Sequence, residues 1–206
     1  MSTSADSAYV RALGERFEQL HPVLQRYFAP LPPGSQGIGH GTFDRVGTPK
    51  RWLWPVIYLL QRRLVIWAGW QRDVPFRVVN RPDGAARTGH REFLIPGTAW
   101  TMRDRMVAGP DGSVLDFLGA PALLAARFSV TVRAGALQMT STHVGLRVAG
   151  RTWTLPMALT PTVTLAESYD DQTGRQRVAV TITAPIIGRI YEYAGTFTYQ
   201  IEEVQQ

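Results

Sequence analysis

Apolar and polar positions along this chain follow two different periods. Near the start, Val10, Leu13, Phe17 and Leu20 fall on one face of a helical wheel. They predict a helix over 7–28, capped by Asp6 or Ser7 and broken near Pro22. A loop, "PLPPGSQG" (30–37), leads into a glycine-rich strand, "GIGHGTFDRVG" (37–47). Thr48 and Pro49 then open a second helix over about 50–66. Beyond it the period becomes two: Phe128, Val130 and Val132 alternate with Arg127, Ser129, Thr131 and Arg133. About nine further strands follow, near 74–80, 87–95, 98–107, 113–118, 126–134, 136–148, 161–169, 175–184 and 188–202. "RPDGAA", "AGPDGS", "RAGA" and "DDQTG" supply turns between them, and "VAGRTWTLP" is a short extra excursion.

Consecutive strands joined by tight turns are antiparallel neighbours. A sheet of this many strands curls or closes. The expected fold is therefore α+β and mainly β. It is a long antiparallel meander forming a strongly curved sheet or lipocalin-like barrel, with N-terminal helices, as one domain over 1–206 whose β region runs from about 72 to 204.

Composition refines this picture in a few places. The chain has 206 residues, 45% hydrophobic and 18% charged, which suits one folded domain with a sizeable core. Its net charge is +6, but its one lysine, Lys50, and 21 arginines are scattered, only Arg62 and Arg63 being adjacent arginines. A nucleic-acid partner calls for a focused basic stripe, so none is expected. There are no cysteines, which excludes disulfides and thiol chemistry. The start, "MSTSADSAYVRAL", lacks a basic stretch followed by an apolar run, and a cytoplasmic location is the expectation. Residues 52–70 hold four of the six tryptophans, but Pro55, Gln61, Arg62 and Arg63 interrupt them. That segment reads as a helix packed on a sheet, with peripheral membrane contact as the alternative.

Several stretches resemble one bacterial family. "YVRALGERFEQLHPVLQRYF" is similar to its opening helix, and "GHGTFDRV" to its glycine-containing strand. "DVPFRV", "LPMALTPTVTLAE" and the closing "APIIGRIYEYAGTF" follow in the family's order. In "GHREF", Arg91 and Phe93 match a W-x-R-x-F pattern while Gly89 stands for the tryptophan, and Glu192 stands where a basic residue is expected. The chain thus resembles the domain of unknown function 4166 family over nearly its whole length. Members are often joined to, or encoded beside, dehydrogenase-like or membrane proteins, and the family carries no agreed activity. The resemblance implies a fold more than a reaction.

Little in the sequence carries specialised chemistry. The histidines (His21, His40, His90 and His143) are far apart, with no metal-ligand spacing, so no metal and no cofactor is expected. No nucleophile elbow or dinucleotide fingerprint occurs. What remains is acid–base chemistry in an apolar cavity, which needs one or two carboxylates or tyrosines. In "AWTMRDRM" (99–106), parity places Asp104 with Trp100, Met102 and Met106 on the apolar face. Three outcomes are open for Asp104: an ion pair with an inward arginine such as Arg91, a bulge near Gly97–Thr98 that turns it to solvent, or a cavity-facing acid. Glu167 shares a face with Val163, Leu165 and Tyr169, while Tyr191, Tyr193, Phe197 and Tyr199 share another.

The candidate catalytic groups are Asp104, Glu92, Glu167, Tyr191 and Tyr193. The candidate ligand contacts are Arg91, Trp100, Met102, His40 and Asp44, the last two forming a polar pair on the 38–46 strand whose plainer reading is a solvated face. The leading expectation is a barrel that binds a small hydrophobic or amphipathic molecule. The second is a cofactor-free cyclase, isomerase or dehydratase. The third is a membrane-surface or protein-interaction module built on the tryptophan-rich helix.

Overall fold

A computed structural model describes residues 6–154, 156 and 160–204. Two short helices open the chain: α1 (Ala8–Leu13) and α2 (Pro22–Phe28), separated by a 3-10 segment at Gly14–Gln19. Ser7 caps α1 by accepting from the Val10 amide, and Gly14, at φ 54°, ends it. The expected break at Pro22 is present, and Gly14 adds an earlier one.

Strand β1 (Ser35–Gly47) follows, then a 3-10 turn at Arg51–Leu53 and α3 (Trp54–Gln61). The helix expected over 50–66 is shorter than the apolar pattern suggested. The chain leaves it at Arg62, and Leu64 takes φ 58°. Residues 62–65 then fill the gap where β4 and β5 part: the Arg103 amide donates to the Leu64 carbonyl and the Ala120 amide to the Arg63 carbonyl. Backbone groups that would have continued the helix are thus satisfied by the barrel rim.

The remaining strands are β2 (Trp70–Asp83), β3 (Ala86–Ile95), β4 (Thr98–Ala108), β5 (Val114–Gly119), β6 (Ala122–Arg133), β7 (Ala136–Val148), β8 (Arg151–Thr154), β9 (Thr162–Asp170), β10 (Arg175–Ala184) and β11 (Gly188–Glu203). They run in the order β6-β5-β4-β3-β2-β1-β11-β10-β9-β7, and β6 pairs with β7 to close the ring. The result is a ten-stranded antiparallel barrel, with β8 added against the end of β7. The excursion foreseen after residue 148 is this strand. Residues 155 and 157–159 of "LPMALTPTVTLAE" lie outside the described residues.

Outward positions carry Arg103, Arg105, Ser129, Thr131 and Arg177, and inward positions are mostly apolar. No helix among the described residues is long and apolar enough to cross a membrane. Both ends of the barrel are covered. At one end α1 and α2 form a plug: the His21 amide donates to the Gly135 carbonyl in the β6–β7 turn, and Tyr9 donates to Met106 Sδ. At the other end α3 and residues 62–69 lie across the rim, where Trp100 Nε1 donates to the Gln61 carbonyl and the Trp67 amide to the Tyr191 hydroxyl.

Half of the interior is solid. Phe43 stacks on Phe76 with ring centroids 3.9 Å apart, and Phe93 and Trp100 lie 5.2 Å apart. Tyr193 meets Phe43 at 5.1 Å. These rings come from β11, β1, β2, β3 and β4. The inward positions of β1 before Phe43 include Gly37, Gly39 and Gly41, and a Cβ on Gly37 would collide with the Tyr199 hydroxyl. Bare backbone on β1 is what lets the β11 aromatics lie across it. The opposite wall, from β5, β6, β7, β9 and β10, carries mostly aliphatic side chains beside Phe128 and leaves space.

Candidate functional site

That space is a cavity of about 150 Å³ at the α3 end. Its walls include Val65, Met102, Leu118, Ala126, Met139 and Val180. Polar groups enter it at only a few points, from Arg91, Asp116, Tyr191 and Tyr193. Deeper in the barrel lies a polar pocket of about 10 Å³, with room for about one water, bordered by Tyr9, Tyr27, Asn80, Arg87, Asp104 and Glu167. Arg91 borders both spaces.

The sheet register explains the assembly. β3 directs Arg87, Gly89, Arg91 and Phe93 inward, and β4 directs Trp100, Met102, Asp104 and Met106 inward. Arg91 is paired in register with Met102, one inward step from Asp104, and its Nη1 donates to Asp104 Oδ1. The Asp104 side chain is 4% exposed. Gly89 sits directly opposite Asp104, and a Cβ there would lie 2.7 Å from both carboxylate oxygens. The missing side chain is the room the carboxylate occupies. Burial, the largest single effect, disfavours the Arg91 cation, but Asp104 together with Tyr193, Tyr27 and Asp116 outweighs it and holds the pKa well above the ordinary value.

Asp116 is the counterpart from β5. It lies opposite Met106, between inward Val114 and Leu118. Its Oδ1 is buried with no hydrogen-bond partner among the described residues. Burial, reinforced by the Asp104 charge and opposed by Arg91, pushes its pKa well above the carboxylate range. An unpaired buried carboxylate favours its neutral form. In that form the Asp116 carboxyl can donate one hydrogen bond and accept another.

Glu167 on β9 is similar in kind. Its Oε2 is buried without a partner among the described residues, and burial raises its pKa to about 7 against the pull of Arg91 and Arg87. Arg87 donates to the Tyr27 carbonyl at 2.6 Å and the Tyr199 hydroxyl at 3.0 Å, and its guanidinium lies 4.7 Å from the Tyr27 ring centre. Tyr193 faces the cavity, its pKa pushed up to about 12 by burial, so it stays a neutral donor. The Tyr191 hydroxyl is raised too, by burial, and holds the Trp67 amide at 3.3 Å.

The structure brings Asp104, Glu167, Tyr191, Tyr193, Arg91, Trp100 and Met102 together inside the barrel. Three other candidates lie elsewhere. Glu92 points outward from β3, opposite in parity to Arg91. His40 and Asp44 are exposed on the outer surface of β1, sharing the parity opposite to inward Gly39, Gly41 and Phe43. Their distance from the interior follows from the same two-residue period that buries Phe43. Glu192, by contrast, is buried on the outer side of β11, where Arg45 and Arg189 pair with it at 3.0 and 3.1 Å.

Interior groups not picked out from the sequence include Asp116, Arg87, Asn80, Tyr9 and Tyr27. Asp116 was legible in "SVLDFLG", where parity sets it between Val114 and Leu118. Arg87 shares parity with Arg91. Tyr9 and Tyr27 reach the site from the plug helices, which strand parity does not address. Among the described residues no three His, Cys, Asp or Glu side chains gather as metal ligands would.

Residues 20–197 match the model of a family described as a domain of unknown function (DUF4166). The chain is also similar to the uncharacterized protein YndH of Bacillus subtilis (strain 168), 25% identical over 194 residues that cover 91% of this chain and 94% of the relative. No solved structure matches it.

Proposed function

The chain belongs to the DUF4166 family, and we propose that its barrel binds a compact, largely apolar molecule bearing one polar group. The observation that carries this reading is the cavity of about 150 Å³, apolar on all sides except where Asp116, Arg91 and the two tyrosines enter. A void of about that size in an apolar core accepts a benzene-sized molecule. Size decides the ligand class: a ring or short branched chain fits, while a long acyl chain needs the α3 cover to open. The polar group of the ligand meets the Asp116 carboxyl where it borders the cavity. A thermal-shift screen of small hydroxylated and amine-bearing ring compounds tests this. Hits that stabilise the wild type and lose most of their effect in Asp116→Ala support it; a screen with no hits contradicts it.

Asp116 also favours a second reading, a cofactor-free enzyme of the isomerase or cyclase type. A neutral acid and the Tyr193 hydroxyl facing one apolar space supply two donors for an oxygen on which negative charge develops. Asp104, Glu167 and Arg91 then set the electrostatics around them. Turnover of a bound compound that falls at least a hundredfold in Asp116→Asn, with binding retained, supports catalysis. Binding without turnover leaves the barrel as a carrier.

A further inference from the structure

The α3 end of the molecule differs from the rest of its surface. Ile57 is the buried residue of α3, while Val56 and Leu59 are 62% and 65% exposed, and Trp52 in the preceding 3-10 turn is 63% exposed. The β10–β11 turn at the same end presents Ile186, fully in solvent, and Ile187. Trp67 and Tyr191 tie residues 62–69 to β11, so this turn and α3 border one rim. An amphipathic surface helix places polar residues outward. Here the outward face is apolar.

The charges at this end are equally one-sided. The segments that form it, 48–69, 96–97, 120–121, 149–150 and 185–187, contain no Asp or Glu. Lys50, Arg51, Arg62 and Arg63 all lie in the first of them, and none forms an ion pair among the described residues. The plug end carries exposed arginines too, but acids lie among them: Arg105 pairs with Asp83, Arg127 with Asp111 and Arg177 with Asp170, and Glu15 and Glu18 share their segment with Arg11, Arg16 and Arg26. The two poles therefore differ: cations and exposed apolar side chains with no acid in the rim segments at one, and cations mixed with acids at the other.

We propose that the α3 end docks on an anionic lipid surface, with Trp52, Leu59 and Ile186 entering the headgroup boundary and Arg62 and Arg63 facing lipid phosphates. Exposed aliphatic and aromatic groups ringed by unpaired cations complement an anionic membrane interface. A protein partner or a second copy of the chain would also cover apolar groups, but the absence of any acid from these rim segments, with nearby Glu192 buried and paired by Arg45 and Arg189, favours an anionic occupant. The reading rests on the outer surface alone and is independent of what the cavity holds.

Vesicle flotation of the full chain tests it, with phosphatidylcholine vesicles and with phosphatidylcholine mixed with phosphatidylglycerol. The wild type is expected to float with the anionic vesicles and to release at high salt. Arg62→Gln with Arg63→Gln is expected to lose roughly twentyfold in binding. Leu59→Ser with Ile186→Ser is expected to lose binding while keeping the wild-type melting temperature, since both side chains are exposed. Three results overturn the proposal: no flotation with anionic vesicles, flotation unchanged in both variants, or a wild-type dimer by light scattering that the serine variant converts to monomer.

Discussion

Gly89 and Asp104 face each other across β3 and β4, and the hydrogen of one is the space of the other. A Cβ at position 89 would stand 2.7 Å from both carboxylate oxygens. The carboxylate cannot simply swing away, because Arg91 holds it and little solvent reaches it.

Gly89→Ala is therefore expected to cost about 1–3 kcal/mol by overpacking. Urea unfolding measures this. A change within error would mean that Asp104 has freedom to move that the packing around it does not suggest.

The Arg91–Asp104 pair gives a second prediction. Asp104→Leu leaves a buried guanidinium without its carboxylate and is expected to cost about 3–5 kcal/mol. Adding Arg91→Met removes the orphaned charge and is expected to restore most of that stability. Stability of the two single variants and the double variant measures the coupling; additive losses would contradict a buried pair.

Glu167 gives a pH dependence. Its folded pKa of about 7 lies above the ordinary 4.5, so the folded protein holds this proton more tightly than the unfolded chain. The resulting stability is complete below pH 4.5 and is lost as pH rises to about 7, a change of about 3 kcal/mol. His90, whose pKa burial and Arg103 lower, acts in the opposite sense, so the comparison must be with a variant. Glu167→Gln is expected to flatten the decline between pH 5 and 8, and to be more stable than the wild type at pH 8. Parallel stability curves for the two proteins would refute the assignment.

How far the sequence revealed this site depends on the kind of signal. Strand parity placed Asp104, Arg91, Glu167 and Tyr193 inside the barrel, because one wet face and one dry face impose a period of two. The order of turns implied a meander, and closure through β6 and β7 follows from a sheet too long to stay open. Parity also carried enough information to find Asp116. The end of α3 was not legible: its apolar run continues past Arg62, and only the unpaired rim between β4 and β5 explains why the chain leaves the helix there. The outward position of Asp44, by contrast, was legible: it shares the parity of His40, and the plainer reading of that pair was a solvated face. Tyr9 and Tyr27 come from helices whose docking on the barrel is a tertiary event.

The central claim is that the cavity is a binding site, and a cavity-filling variant tests it most directly. Ala126 is buried and lines the cavity wall. Ala126→Leu places extra carbons in the void, with a cost below about 1.5 kcal/mol or a gain in stability. Calorimetric titration with phenol, benzylamine and toluene, on wild type and variant, is the measurement. The account predicts saturable binding to the wild type, tighter for phenol or benzylamine than for toluene, and none to Ala126→Leu. Absence of binding to the wild type, or equal binding to a folded Ala126→Leu, would contradict it.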